Sequence, residues 1–215
     1  MKNITIFLRA AWRIIRWPIW TLLAVFIAIV IYRFPLAIQK QKDKELVAAI
    51  HAQRITIDDV MGAHLPPTLD PTLASSTIAG IDANHNGIRD DVELVIFALH
   101  PDSAKVRAAE LQYALELQNE LVRVVSTATM IAAAQEAAKG YYCLDDTVLA
   151  PPVGSGDVLW EKHDKEVSVY EHEIKGLLFN TIERQRQRDK NFEKISAYSD
   201  MSGSHCDIDP TTLPN

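Results

Sequence analysis

DSAKVRAAELQYALELQNELVRVVSTATMIAAAQEAAK, residues Asp102–Lys139, is the longest periodic run in the chain, and its period decides the fold class. Ala114, Leu117, Leu121, Val124, Ala128 and Ile131 recur at alternating spacings of three and four, the signature of one helical face. Leu111, Leu115, Val122 and Val125 widen that face into a second. A helix apolar over so broad an arc packs among several helices rather than along a narrow seam. Asp102 stands where an N-cap is expected. The β-branched, hydroxyl-rich VVSTAT at 124–129 marks a place for a kink or break.

Working outward, Ile88, Val92, Val95, Ile96 and Leu99 form a second stripe at helical spacing, which Pro101 ends. A further helix is expected from about Lys165 into Tyr198, with Val167, Tyr170, Ile174, Leu177, Leu178 and Ile182 on its buried face. APPVGSG, at 150–156, is a connector, and the tail from Ser199 reads as loop. Upstream, Leu36–Gln53 reads as a helical stalk, and the segment after it, with Pro66, Pro67 and Pro71, as extended linker. The expected fold is therefore mainly α: an N-terminal transmembrane helix followed by an all-α helical bundle.

The N-terminus stands apart. From Trp17 to Tyr32 the chain carries no charge, between Arg16 and Arg33. Aliphatic residues there surround every helical face, and Trp12, Trp17 and Trp20 crowd one end as an interfacial belt would. Before it, Ile4, Phe7, Leu8, Ala11, Trp12 and Ile15 oppose Arg9, Arg13 and Arg16. That pattern fits either a helix lying in the headgroups before a turn near Pro18 or the first turns of one long spanning helix. No small-residue cleavage site follows, so the segment reads as an uncleaved signal anchor. Four basic residues precede the span, which places the N-terminus in the cytoplasm and the body outside, at a plasma (inner) membrane with the body periplasmic. The expected divisions are 1–35 for the amphipathic segment and anchor, 36–79 for stalk and Pro-rich linker, and 80–215 for the helical domain.

Charge and cysteine usage agree with that placement. The first 34 residues hold five basic side chains and no acid, so from a total of −6 the remainder carries −11. A body so acidic repels polyanions, and nucleic acid is excluded as a partner. Cys143 and Cys206, the only two cysteines, both lie beyond the span, where one disulfide is expected.

GIDANHNGIRDDVEL, at 80–94, carries the chemistry. Counting from Asp82, the chain places Asp82, Asn84 and Asn86 at alternate positions, then Gly87, Ile88, Asp90 and, at the twelfth position, Glu93. Calcium takes six to eight oxygens, and short side chains at alternate positions converge from a tightly curved loop. Gly87 permits the turn, Ile88 offers a backbone carbonyl, Asp90 acts directly or through water, and Glu93 closes the site with both oxygens. A rival reading needs no metal: Asp90 and Glu93 as a D-x-x-E capping box, with Asn86-Gly87 as an ordinary turn.

Over these twelve residues alone the chain resembles the EF-hand calcium loop. It is similar to the single DxDxDG loops of secreted bacterial proteins and thrombospondin type 3 repeats. Arg89 departs from the aliphatic usual at that position in paired EF-hands, and no long helix leads in. The resemblance implies one Ca2+ held as a structural brace. Three carboxylates with two neutral Asn ligands imply weak affinity, ~10⁻⁴–10⁻³ M as in extracellular modules.

Other constellations fall short. His163, Glu166, His172 and Glu173 lack a zinc spacing and read as a solvated helix face; His51, His64, His85, His100 and His205 are isolated. Arg184, Arg186, Arg188, Lys190 and Lys194 stand among Glu183, Asp189 and Glu193, as on a mixed exposed face, with a docking patch as the alternative. The expected function is therefore non-enzymatic: an envelope or interaction protein, with the membrane and an envelope protein or a second copy as partners. The alternatives are a membrane-tethered hydrolase using Glu93, Asp90 or His85, or a structural anchor whose loop binds no metal.

Overall fold

The computed structural model describes residues 2–68, 70–148, 150–195, 197–199 and 203–214, with the backbone alone for 2–11, 13–16 and 71. Among these residues there are eight α-helices and no strand, so the mainly α expectation holds. Contacts divide the chain into Met1–Lys44 and Glu45–Asn215.

Most of the first unit is helix α1, Lys2–Ala52, which runs through Pro18 and Pro35 without a break. The chain therefore makes no turn at Pro18. The amphipathic face expected over residues 4–16 rests largely on side chains outside those described. From Trp17 the helix is long and apolar enough to cross a bilayer, with a mean hydropathy of 2.3 and none of that window buried. Trp17, Trp20, Leu22, Phe26 and Ile31 all stand exposed, as a helix needs when its surroundings are lipid. One such helix together with one disulfide is consistent with a membrane-anchored extracytoplasmic protein.

The second unit is built around α5, Ala104–Val122. Two short helices precede it, α2 (Ile57–Met61) and α3 (Pro71–Ala74), then α4 (Asp90–Leu99). After it come α6 (Thr127–Thr147), α7 (Asp157–Leu178) and α8 (Ile182–Phe192). Helices α2, α4, α6, α7 and α8 all pack on α5, and Leu111, Ala114, Leu115, Leu117 and Leu121 face them from within the core. The segment expected to be stalk and linker contributes too: Ile50, Ile55, Val60 and Ala74 are buried.

Local chemistry sets the breaks. The run read as one pattern from Asp102 to Lys139 is two helices, because hydroxyls compete with the helical ladder. Ser126 caps α6 by accepting from the Thr129 amide, and the Thr129 hydroxyl accepts from the Ser126 and Val125 amides. The cap of α5 is Ser103 rather than Asp102, its hydroxyl accepting from the Val106 amide. The expected helix from about Lys165 to Tyr198 likewise divides into α7 and α8, at Thr181, which caps α8 through the Arg184 amide.

Cys143 of α6 and Cys206 of the tail form a disulfide. Beside it the tail is pinned on two sides. Gln112 Nε2 donates to the His205 carbonyl (2.8 Å) and Gln112 Oε1 accepts from the Asp207 amide (2.8 Å). The Asp207 carboxylate accepts from the Ile55 amide (3.1 Å) and pairs with Arg54 (3.0 Å). The disulfide thus holds the acid that ties the start of the unit to its end.

Candidate metal centre

The backbone entering the loop has its carbonyls assigned almost one by one, as a half-buried coil requires. Arg184, fully buried, fans its guanidinium over Ala74 O (2.7 Å), Thr77 O (2.9 Å) and Ile78 O (3.0 Å), and also donates to Asn180 Oδ1 (2.6 Å). Gln118 Nε2 donates to Ala79 O (2.8 Å), and the Asp90 amide to Ile81 O (2.9 Å). Gly80, at φ +71°, fits between the two buried arginines; a Cβ there would collide with Arg89. Asp82 therefore starts the loop from a fixed backbone.

From Asp82 the chain curls tightly, with His85 at φ +59° and Gly87 at φ +92°. A Cβ on Gly87 would strike Gln53, so glycine serves the turn and the close approach together. Side-chain oxygens face the curl's own amides: Asp82 Oδ2 accepts from Gly87 N (2.9 Å), Asn84 Oδ1 from Asn86 N (3.4 Å) and Asn86 Oδ1 from Ile88 N (2.8 Å). The Ile88 side chain is fully buried and anchors the loop in the core.

The capping box does not form. Arg89 occupies the N-cap position of α4 with no side-chain cap, and Asp90 lies inside the first turn. Its carboxylate turns back into the loop, where Oδ1 accepts from Ala83 N (2.9 Å). Glu93 likewise turns inward, accepting from Asn84 Nδ2 (3.0 Å). Asp90 is 0% exposed and Glu93 1%. Two carboxylate oxygens of the loop, Asp82 Oδ1 and Asp90 Oδ2, are buried with no hydrogen-bond partner among the described residues. Burial is the chief force raising the Glu93 carboxyl, to about 7; the Asn84 and Asn86 amides oppose it, and the Asp59 and Asp90 charges add to it. Asp90 is raised for the same first reason, burial.

Five of the residues singled out from spacing, Asp82, Asn84, Asn86, Asp90 and Glu93, thus bring their side chains to one curl, and Ile88 contributes backbone to it. Arg89 does not face them. Its guanidinium pairs with Asp91 and donates to the carbonyls of Leu177 (2.7 Å) and Leu178 (3.2 Å) at the end of α7, where a cation satisfies orphan carbonyls. The loop is thereby bolted to α7 by the residue that departs from the calcium-loop pattern.

Away from the loop, three expectations change. Arg184, read on an exposed mixed face, is fully buried because its guanidinium serves the carbonyls of segment 74–78. His163, read as part of a solvated face, is buried, because its helix turns that side toward Asp145 of α6. Glu173, from the same stretch, is half-buried and meets His100 and Glu110. Nothing in their spacing, at 100, 110 and 173, signals this. Comparison with family models, with curated proteins and with solved structures finds no match.

Proposed function

We propose that the chain is a single-pass, membrane-anchored extracytoplasmic protein in which one calcium ion braces the loop 82–93, and that it acts as a non-enzymatic interaction protein of the envelope. The observation that carries this reading is the convergence of Asp82, Asp90 and Glu93 with buried, unpartnered oxygens at Asp82 and Asp90. Buried carboxylates without a counter-charge are costly, about several kcal/mol each. A hard divalent cation relieves that cost and takes oxygen ligands only. Asp82, Asn84, Asn86, Asp90 and Glu93 would supply side-chain oxygens and Ile88 its carbonyl.

Burial of Asp90 and Glu93 favours a brace over a hydrolase, since a substrate has no access to either. The four basic residues ahead of the span and the disulfide favour an N-terminus in the cytoplasm and an oxidising surrounding for the body. Millimolar calcium outside the cell matches a loop of ~10⁻⁴–10⁻³ M affinity. The brace would hold segment 74–82 onto α4, α7 and α8, leaving an ordered surface for an envelope partner or a second copy.

The test is calorimetric titration of Ca2+ into the full chain in detergent micelles, beside Asp82→Ala and Glu93→Gln, with thermal melts. One site per chain, lost in both variants, is the expected result. Calcium a few-fold above its Kd adds about 1 kcal/mol by linkage and raises the melting temperature by ~2–4 °C. No heat and no shift at millimolar calcium would discard the brace.

A further inference from the structure

We propose that His100, Glu110 and Glu173 form a second cation site, taking a borderline divalent transition metal of the zinc class where the C-terminal end of α4 meets α5 and α7. One ligand atom from each residue, an imidazole nitrogen of His100 and a carboxylate oxygen of each glutamate, lies within 4.8 Å of the others. His100 Nε2 stands 3.2 Å from Glu110 Oε1. Ligands about 2.0–2.2 Å from zinc lie about 3–4 Å from one another, so small side-chain rotations close the set.

The independent observation is Glu110 itself. It is 0% exposed, and among the described residues neither of its oxygens has a hydrogen-bond partner, nor has His100 Nε2, its ion-pair neighbour. A fully buried carboxylate pointed at an unbonded imidazole nitrogen and a second carboxylate is a donor set without an acceptor. The local cation does not answer it. Arg107 spends its guanidinium on backbone, with Nη1 on the carbonyls of His100 (2.7 Å) and Pro101 (2.8 Å) and Nε on Val60 O (3.1 Å). Those bonds fix the His100 backbone. Its ring is held against Tyr170, at 5.8 Å between centroids, and Tyr170 lies one turn before Glu173 on α7.

Ligand chemistry separates this site from the loop. Calcium and magnesium take oxygen almost exclusively, whereas one imidazole with two carboxylates suits zinc and its neighbours. Three protein ligands leave a position for water, and the partial exposure of His100 and Glu173 gives a metal a way in. None of the three residues belongs to 82–93, so the site stands independently of the calcium reading.

The experiment titrates Zn2+ into the full chain in micelles under saturating calcium, beside Glu110→Gln, Glu173→Gln, His100→Ala and, as a control, Glu161→Gln at an exposed acid of α7. Co2+ serves as the spectroscopic probe. One zinc per chain is expected, weakened more than about tenfold in each of the first three variants and unchanged in the control. Co2+ should give visible ligand-field bands that zinc abolishes. Glu173 is only half-buried, so Glu173→Gln decides the matter if Glu110→Gln fails to fold. The proposal is overturned if the unsubstituted chain gives neither zinc heat nor cobalt bands. It is equally overturned if a folded Glu173→Gln chain, judged by its melting temperature, binds zinc as tightly as the parent.

Discussion

Replacing Arg184 by Met keeps most of the buried volume and removes every donor. The residue is fully buried, and its guanidinium makes four hydrogen bonds, three of them to carbonyls of segment 74–78. A bond from a charged donor contributes about 1.5–3 kcal/mol. Ser75, Ser76 and Thr77 are exposed, so water reaches part of the segment once the arginine is gone, whereas Ala74 is buried. The net loss should be about 3–5 kcal/mol, less than the sum of four bonds. For a body of this size that lowers the melting temperature by about 10 °C.

Scanning calorimetry of the full chain in micelles measures the loss, with Arg184→Lys as a companion. Lysine keeps the charge, but its single nitrogen cannot span acceptors on two segments, so it should recover less than half. Because Arg184 fixes the backbone that delivers Asp82, calcium affinity should also fall several-fold in Arg184→Met. A loss below about 1 kcal/mol would show that segment 74–78 does not depend on this fan, and the account of how the loop is positioned would fail with it.

Two further expectations follow from the same packing. Removing the disulfide with Cys143→Ala and Cys206→Ala reopens a separation of 63 residues, which on the chain-entropy model costs about 4 kcal/mol; a melting temperature unchanged in the double variant would contradict it. Glu120 is pushed up to about 7 by burial, opposed by Arg188 and Lys175, in a cavity of about 230 Å³ that Tyr113, Tyr141 and Glu171 also line. A carboxyl raised in the fold contributes stability present below its ordinary range near 4.5 and lost as pH rises through about 7. The parent should therefore lose more stability than Glu120→Gln between about pH 5 and about pH 8, by at most about 3 kcal/mol, and parallel melting curves for the two would exclude it.

The membrane helix was plain in the sequence because an uncharged run apolar on every face has few places to go but lipid. The ligand spacing of 82–93 was equally plain, since it is local. Whether Asp90 caps α4 or turns back into the loop was not, because both use the same residues at the same spacing; the amide of Ala83 decides it. Helix breaks at Ser126 and Thr181 shifted expected boundaries because one hydroxyl outweighs a continuous apolar period there. Arg89 stands out in the sequence only as a departure from the paired EF-hand pattern, whereas in the fold it bolts the loop to α7, a contact 88 residues away in sequence. His163 and Glu173 read as solvated because periodicity reports a helix's apolar face and says nothing of what a polar one meets.

The same limit explains α5, whose apolar arc was legible while its buried polar residues were not. Glu110, Glu116 and Glu120 are all buried because helices surround α5 on every side, and each carboxyl meets the cost of burial differently. Glu116 takes the Gln112 amide (3.1 Å), and Glu120 is opposed by Arg188 and Lys175. Glu110 meets, among the described residues, His100 and Glu173. Helix α4 connects this to the loop. It opens on Asp90 and Glu93 and is followed at once by His100, so the loop 82–93 and the His-Glu-Glu cluster bracket one ten-residue helix, too short to be stable alone. A cation at a helix start opposes its dipole, and three acids in the first turn, Asp90, Asp91 and Glu93, offset that. A cation at the helix end is favoured outright. On that geometry, the acids buried around α4 make its two ends, rather than its packed middle, the places where a metal would govern the order of this body.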